Sequence, residues 1–366
     1  MSVLDLVRDD LRNFAGYGSA RKTGLVGRVW LNANESPWAS PADPGQGLNR
    51  YPEPQPAALR ARLAALHGVA EDTLLMTRGS DEGIDLLTRA LCRAEHDAVL
   101  VSSPTFGMYA VCAKVQGAAL VDVPLIDTGS AFRIDVDAML AAFERPGPRI
   151  KIVYVCAPAN PTGVAPSLDD IERLLVGVAG RALVVVDEAY GEYMGRESAL
   201  ALRPRYPNLA VLRTLSKAYA LAGARLGITM ADAGLIRVLN AIAPPYPLAQ
   251  PAAALALVAM SETAVAEAHR RCALIIAERS RVAAGLAEDA GVRAVYASDA
   301  NYLLVRFLDA ESTFRRLLAA GVVVRDQRAH PALSDALRVT IGTAEENDAL
   351  LEALAESQPA NRTAPA

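Results

Sequence analysis

Short, wholly apolar runs alternate with amphipathic helical patterns through the middle of the chain, the arrangement expected of strands buried on both faces and separated by covering helices. The candidate strands are Ala98–Ser102, Ala119–Val123, Ile150–Val155, Ala182–Val186, Leu209–Arg213 and Leu226–Met230. Between them, residues 57–67 carry Leu59, Leu63 and Leu66 on one helical face, and Gly68 supplies a stop. Ser167-Leu168-Asp169-Asp170 has the form of a capping box with Asp in place of Glu and opens another helix. A further helix is expected over Ile84–Arg93, after a short strand.

Beyond about residue 250 the pattern changes. An Ala-rich helical stretch runs to about Asp289 and reads as one long helix. Strands are expected at Arg293–Ala297, Asn301–Phe307, Val322–Arg325 and Leu337–Ile341, with helices around Ser312–Ala320 and Glu345–Ala355 interleaved. Thr343-Ala344-Glu345-Glu346 caps the last of them. The chain thus reads as an α/β unit with a mostly parallel sheet, followed by a smaller α+β unit.

The 366 residues allow roughly two or three domains. At 52% hydrophobic and 21% charged, the composition is that of a globular protein. A formal net charge of -4 gives no basic field for nucleic acid. Cys92, Cys112, Cys156 and Cys272 are scattered, with no CxxC pair, and read as reduced, buried thiols. The four histidines are equally dispersed, so no metal site is expected. The amphipathic, acidic N-terminus lacks the pattern of a signal peptide, and the most apolar window, 251–260, is too short to cross a bilayer. These features point to a soluble, cytoplasmic protein without a nucleic-acid or membrane partner.

Four segments carry candidate chemistry, each at the end of an apolar run. In Thr214-Leu215-Ser216-Lys217, the lysine could form a Schiff base with a carbonyl cofactor, and burial would lower its pKa. Ser216 and Arg225, eight positions after the lysine, suit a phosphate dianion. Asp187 closes the run Leu183–Val186, where open α/β sheets bind ligands, and could keep a pyridine nitrogen protonated. The loop Cys156–Gly163 presents Asn160 at the same edge. Arg78-Gly79-Ser80-Asp81-Glu82-Gly83 offers small residues at a helix N-terminus, a cradle for phosphate. Taken singly, each has a bland reading as a surface pair, a turn or a helix cap. Their order and spacing, with 27 residues from Asn160 to Asp187 and 30 from there to Lys217, make the set specific.

The set resembles the fold-type I aminotransferases that depend on pyridoxal 5'-phosphate (PLP). Further motifs narrow the likeness to the class II-like histidinol-phosphate aminotransferase subfamily. These are Leu31-Asn32-Ala33-Asn34-Glu35-Ser36-Pro37, Asn49-Arg50-Tyr51-Pro52, Pro104-Thr105-Phe106-Gly107-Met108-Tyr109, the run at 243–248, the segment 298–306, Gly321–Asp326 and Leu337–Thr343. The likeness spans about Tyr17 to Leu354. Ala159 stands where a second Asn is usual, and Ala224 where Leu commonly precedes the arginine; neither removes a reactive group. The resemblance implies a large PLP-binding domain over 29–248 with a mostly parallel seven-stranded sheet and helices on its flanks. It implies a small C-terminal domain over 249–354, an N-terminal arm over 1–28 and a disordered tail over 355–366.

By the same resemblance, Lys217 is the Schiff-base lysine and moves the proton at the substrate Cα. Asp187 pairs with the pyridine nitrogen, Asn160 and Tyr190 bond the phenolic oxygen, and Tyr109 stacks on the ring. Gly79, Ser80, Asp81, Ser216 and Arg225 surround the cofactor phosphate, with Tyr51 arriving from the second subunit of a homodimer. Arg338 would fork the carboxylate of L-glutamate or 2-oxoglutarate, Arg325 would meet the phosphate of L-histidinol phosphate, and Tyr17 and Asn34 would complete the substrate site. The implied reaction is transamination between these two substrates in histidine biosynthesis. The alternatives on this scaffold are an aromatic amino-acid aminotransferase, a threonine-phosphate decarboxylase and a PLP-binding regulator without catalysis.

Overall fold

A computed structural model describes residues 2–20 and 27–355. Most of the expected tail, 356–366, lies outside the described residues. Strands β1 (Leu74–Thr77), β2 (Asp97–Val101) and β3 (Ala119–Asp122) precede a small hairpin of β4 (Ile126–Asp127) and β5 (Phe132–Arg133). Next come β6 (Arg149–Cys156), β7 (Leu183–Asp187), β8 (Leu209–Thr214) and β9 (Gly227–Met230). The hairpin apart, these strands form one sheet of seven in the order β1-β9-β8-β7-β6-β2-β3. Pairing is parallel from β8 to β3, whereas β9 runs antiparallel to both β8 and β1.

The central strands are mostly apolar because both faces are covered, with Lys151 of β6 and Arg213 of β8 as charged exceptions. Val184 and Val186 point into one core, Leu183 and Val185 into the other. Helices α1 (Ala57–His67), α2 (Gly79–Leu91), α3 (Met108–Gln116), α4 (Val136–Ala142), α5 (Leu168–Gly177) and α6 (Ala233–Ile242) do the covering. Their ends follow the local chemistry. Gly68 closes α1 in the left-handed region at φ 63, where a glycine has no Cβ to clash. The Ser167 hydroxyl accepts the Asp170 N–H at 3.1 Å to open α5. The N-terminal segment also contributes, burying Val3, Leu6 and Val7 in the core that holds α2 and α6.

The Ala-rich stretch after residue 250 is two helices, not one. Helix α7 (Gln250–Ala259) and α8 (Glu262–Ala287) meet at 75°. The turn is made at Ser261, whose hydroxyl accepts the Ala264 N–H at 3.4 Å and starts a new helix. Beyond α8 lies a second, antiparallel sheet in the order β10-β11-β13-β12. Its strands are β10 (Val292–Val295), β11 (Tyr302–Phe307), β12 (Arg325–Asp326) and β13 (Ala336–Thr340), with α9 (Ala310–Ala319) and α10 (Ala344–Ala355) packed on it. The strand expected at Val322–Arg325 is instead a two-residue edge, Arg325–Asp326, while Val322 and Val324 before it pack against the core of this sheet. The capping of α10 is as expected: the Thr343 N–H donates to Glu346 Oε2 at 2.8 Å, and Glu346 N–H returns to the Thr343 hydroxyl at 3.3 Å.

One contact fixes how α2 meets the large sheet. A Cβ on Gly227 would lie 2.2 Å from the Gly79 carbonyl carbon and 2.3 Å from the Ser80 nitrogen. The start of α2 therefore rests directly on the β9 backbone. Gly227→Ala should force these elements apart and cost at least about 2 kcal/mol. Guanidinium denaturation of the variant checks this; an unchanged midpoint would contradict it.

Candidate active site

Three neighbouring parallel strands deliver their C-terminal ends to one cleft of about 600 Å³. Cys156, Asp187 and Leu212 are in register across β6, β7 and β8, so the loops that follow emerge side by side. Asn160, the pair Asp187 and Tyr190, and the pair Ser216 and Lys217 all line the cleft as a result. This is where open α/β sheets place ligands.

Asp187 is the electrostatic centre. It is 2% exposed and accepts the Tyr109 hydroxyl at 2.9 Å and the Ala189 N–H at 3.1 Å. Among the described residues no cation forms a salt bridge with it. Burial, only partly opposed by those two donors, raises its pKa to about 6. Lys217 opens to the cleft, with Nζ 5.4 Å from the centre of the Tyr190 ring. The surrounding protein, and next the Arg338 charge, hold its ammonium pKa below the ordinary value. Burial pushes the Tyr190 phenol up to about 12, so it stays a hydroxyl donor.

A cradle for an anion forms where α2 begins. Gly79 takes φ +75, and a Cβ there would lie 2.6 Å from Arg225 Nη2. The missing side chain lets Arg225 lie across the helix start, where backbone N–H groups are exposed. Arg225 itself sits at φ 53, a strained position for a residue with a side chain. Its guanidinium also reaches Asp81 Oδ2 at 3.2 Å, the Ala222 carbonyl at 3.2 Å and the Ser216 hydroxyl at 3.5 Å. Ser80, Asp81 and Ser216 line the same end of the cleft. The residues present therefore fit PLP: a phosphate cradle, a buried carboxylate for a ring N–H, hydroxyl and amide groups beside it, and an amine.

The opposite wall comes from the second sheet. Arg325 and Arg338, 13 positions apart, face each other across the β12–β13 pair, and both line the cleft. Like charges directly opposite destabilise a sheet, so an anion between them is the natural complement. Arg338 donates from Nη1 to Asn160 Oδ1 at 2.5 Å and lies 5.2 Å from the Tyr302 ring. The Arg325 guanidinium has no hydrogen bond or ion pair among the described residues.

Tyr109 does not line the cleft. Its ring is fully buried, stacked on Tyr154 at 4.6 Å, and its hydroxyl is committed to Asp187. The expectation that it stacks on a cofactor ring is corrected. The cause is helix phase: Tyr109, Cys112 and Ala113 form the inward stripe of α3, whereas Phe106 precedes that helix and faces the cleft. The i, i+3, i+4 spacing carried that signal. Tyr17 and Asn34 are exposed and do not line the cleft within one chain, nor does Tyr51, which stacks on Tyr246 at 4.4 Å. Gly227 and Phe106 were not singled out from sequence; Gly227 needs a tertiary contact to be recognised.

An amine, a buried carboxylate and an anion cradle on one cleft of a doubly covered sheet define a class of aminotransferase-like enzymes. A family model described as aminotransferase class I and II matches residues 17–354. Histidinol-phosphate aminotransferase of Xanthomonas euvesicatoria pv. vesicatoria is 57% identical over 359 residues, 98% of each chain. That of Stenotrophomonas maltophilia is 56% identical over 358 residues, again 98% of each. The chain belongs to the class I and II aminotransferases and, within them, to the histidinol-phosphate aminotransferase family. Among solved structures, histidinol-phosphate aminotransferase from Sinorhizobium meliloti in complex with pyridoxal-5'-phosphate matches with a TM-score of 0.73. It is 26% identical, and the match covers 84% of this chain and 82% of that one.

The raised Asp187 pKa has a consequence for the ligand-free protein. A carboxyl whose pKa rises from 3.8 to about 6 on folding destabilises the native state increasingly as pH climbs through that window. Ligand-free Asp187→Asn should therefore melt above the parent at pH 8, by about 3–6 °C. The gain should shrink as the pH falls from about 6 towards 4. A pH-independent difference in melting temperature would refute this.

Proposed function

We propose that the cleft holds PLP and that the protein transfers an amino group between L-histidinol phosphate and 2-oxoglutarate. The products are imidazole-acetol phosphate and L-glutamate, and the step belongs to histidine biosynthesis in the cytoplasm. The observation that carries this reading is the buried Asp187, in no salt bridge among the described residues, in one cleft with Lys217 and the Gly79–Arg225 cradle. When bound, PLP supplies an electron sink for the bond that breaks at the substrate Cα.

This chain's own groups do the rest. The Asp187 carboxylate holds a proton on the ring nitrogen, and the ring's positive charge offsets its own desolvation. Tyr190 and Asn160 donate to the phenolic oxygen. The N–H groups at Gly79–Asp81, with Ser216 and Arg225, bind the phosphate. Phe106 takes the ring face first assigned to Tyr109. Lys217 would hold the cofactor through its amine and would move the proton at the substrate Cα; burial, and next the Arg338 charge, lower its pKa and favour the neutral amine that a base needs. Arg338 forks the carboxylate of glutamate or 2-oxoglutarate. Arg325 meets the substrate phosphate, with Tyr17 and Asn34 closing over it from outside the cleft.

The protein works as a homodimer, with Tyr51 reaching the cofactor phosphate of the second subunit. Supporting this, Tyr51 is 50% exposed, and Leu31 and Trp38 earlier in the chain are exposed as well. An aromatic amino acid without a phosphate would leave Arg325 unmatched, which favours the phosphorylated substrate.

Arg325→Ala should lower kcat/KM for histidinol phosphate by about 100-fold. It should change kcat/KM for an unphosphorylated aromatic amino acid by less than about threefold. Equal losses would remove the phosphate assignment. Lys217→Ala should reduce transamination by at least about 10³-fold while PLP still binds noncovalently. Near-normal turnover in that variant would overturn the mechanism.

A further inference from the structure

Behind the cleft lies a buried charge cluster with no part in the reading above. Arg213, in β8, is 8% exposed. Its Nη2 meets Glu188 at 2.6 Å and its Nη1 meets Glu192 at 2.9 Å. Glu188 also accepts the Ser198 hydroxyl at 2.6 Å and the Ala199 N–H at 2.7 Å. Glu192 Oε2 and Arg213 Nε have no hydrogen-bond partner among the described residues. From the other elements, the half-buried His67 of α1 and Tyr219 after β8 also feel the Arg213 charge. Burial, and then Arg213, lower the His67 pKa to about 3, so it adds no second cation.

Burying three charges is a poor way to stabilise a fold, since an apolar trio of similar volume is often as good or better. The placement points elsewhere. Glu188 and Glu192 bracket Tyr190, two residues away on either side, and Arg213 lies four residues before Lys217. The turn is also shaped around the guanidinium: a Cβ on Gly191 would lie 2.4 Å from Arg213 Nη1. One side chain thus ties both ends of the Tyr190 turn to the strand that leads into the lysine loop.

We propose that Arg213 is a positioning residue that sets Tyr190 against Lys217, so that the Tyr190 hydroxyl meets the phenolic oxygen of the bound cofactor. The inference rests on PLP binding as described above. If the clamp slackens, the phenolic oxygen loses a donor and becomes more basic, and the neighbouring imine nitrogen keeps its proton to higher pH.

The test is a pH titration of the visible absorption band of the PLP-loaded protein, with melting temperature measured alongside. Arg213→Lys keeps a buried positive charge, but one compact ammonium lacks the fork that spans two carboxylates. Glu192→Gln keeps the volume and slackens one arm, and it supplies the answer if Arg213→Lys does not fold. In both, the midpoint should rise by at least about half a pH unit. Tyr190→Phe should raise it too, and adding Arg213→Lys to that variant should give no further shift. Unchanged midpoints with lowered melting temperatures would reduce the cluster to a structural role and overturn the proposal. Additive shifts would also overturn it, by showing that Arg213 acts other than through Tyr190. No pH-dependent visible band in the parent protein would mean that the cofactor reading itself had failed.

Discussion

A fully buried carboxylate that forms no salt bridge among the described residues is costly, and the large sheet is arranged around one. Asp187 ends the central strand β7, between the loops that follow β6 and β8. Only a parallel arrangement delivers three loops to the same edge from consecutive strands, and only complete coverage of both faces dries the strand end enough to raise the carboxylate pKa. The two donors that Asp187 does have, the Tyr109 hydroxyl and the Ala189 N–H, orient it without neutralising it. That desolvated carboxylate is the main chemical fact of the cleft.

The second sheet is joined to that edge rather than hinged loosely beside it. The Tyr302 hydroxyl donates to the Ala159 carbonyl at 2.7 Å, and Arg338 bonds Asn160. On the far side of the loop, Asp299 N–H donates to the Gly163 carbonyl at 2.8 Å, and Asp299 Oδ2 accepts the Ala165 N–H at 3.0 Å. Gly163 allows this because a Cβ there would lie 2.9 Å from Ser298. The Asn160 loop is thereby held from both sheets, and a shift of one sheet is felt at the amide.

Much of this was legible in the sequence. Apolar runs located the central strands to within a residue or two because burial on both faces leaves few polar positions. Asn160, Asp187 and Lys217 were legible because each follows such a run at once. Other features depend on contacts that no local pattern encodes. The reversed direction of β9 follows from the path of the chain after Arg225, and the need for glycine at 227 comes from a helix start 148 positions earlier. The break at Ser261 was a local signal that the surrounding alanines masked. Tyr109 was misassigned because two aromatics three apart, Phe106 and Tyr109, flank a helix start, and only the phase of α3 separates the one facing the cleft from the one beneath it.

The paired arginines of the second sheet have a different kind of consequence. Arg325, on the two-residue edge strand β12, stands opposite Arg338 on the neighbouring β13, so neither can retreat far from the other's charge. If the proposed acidic substrates bind at this pair, each has to compete with counterions drawn there by the two like charges. Affinity at this wall is then a competition for counterions, and it would be set as much by the ionic composition of the medium as by the fit of the ligand.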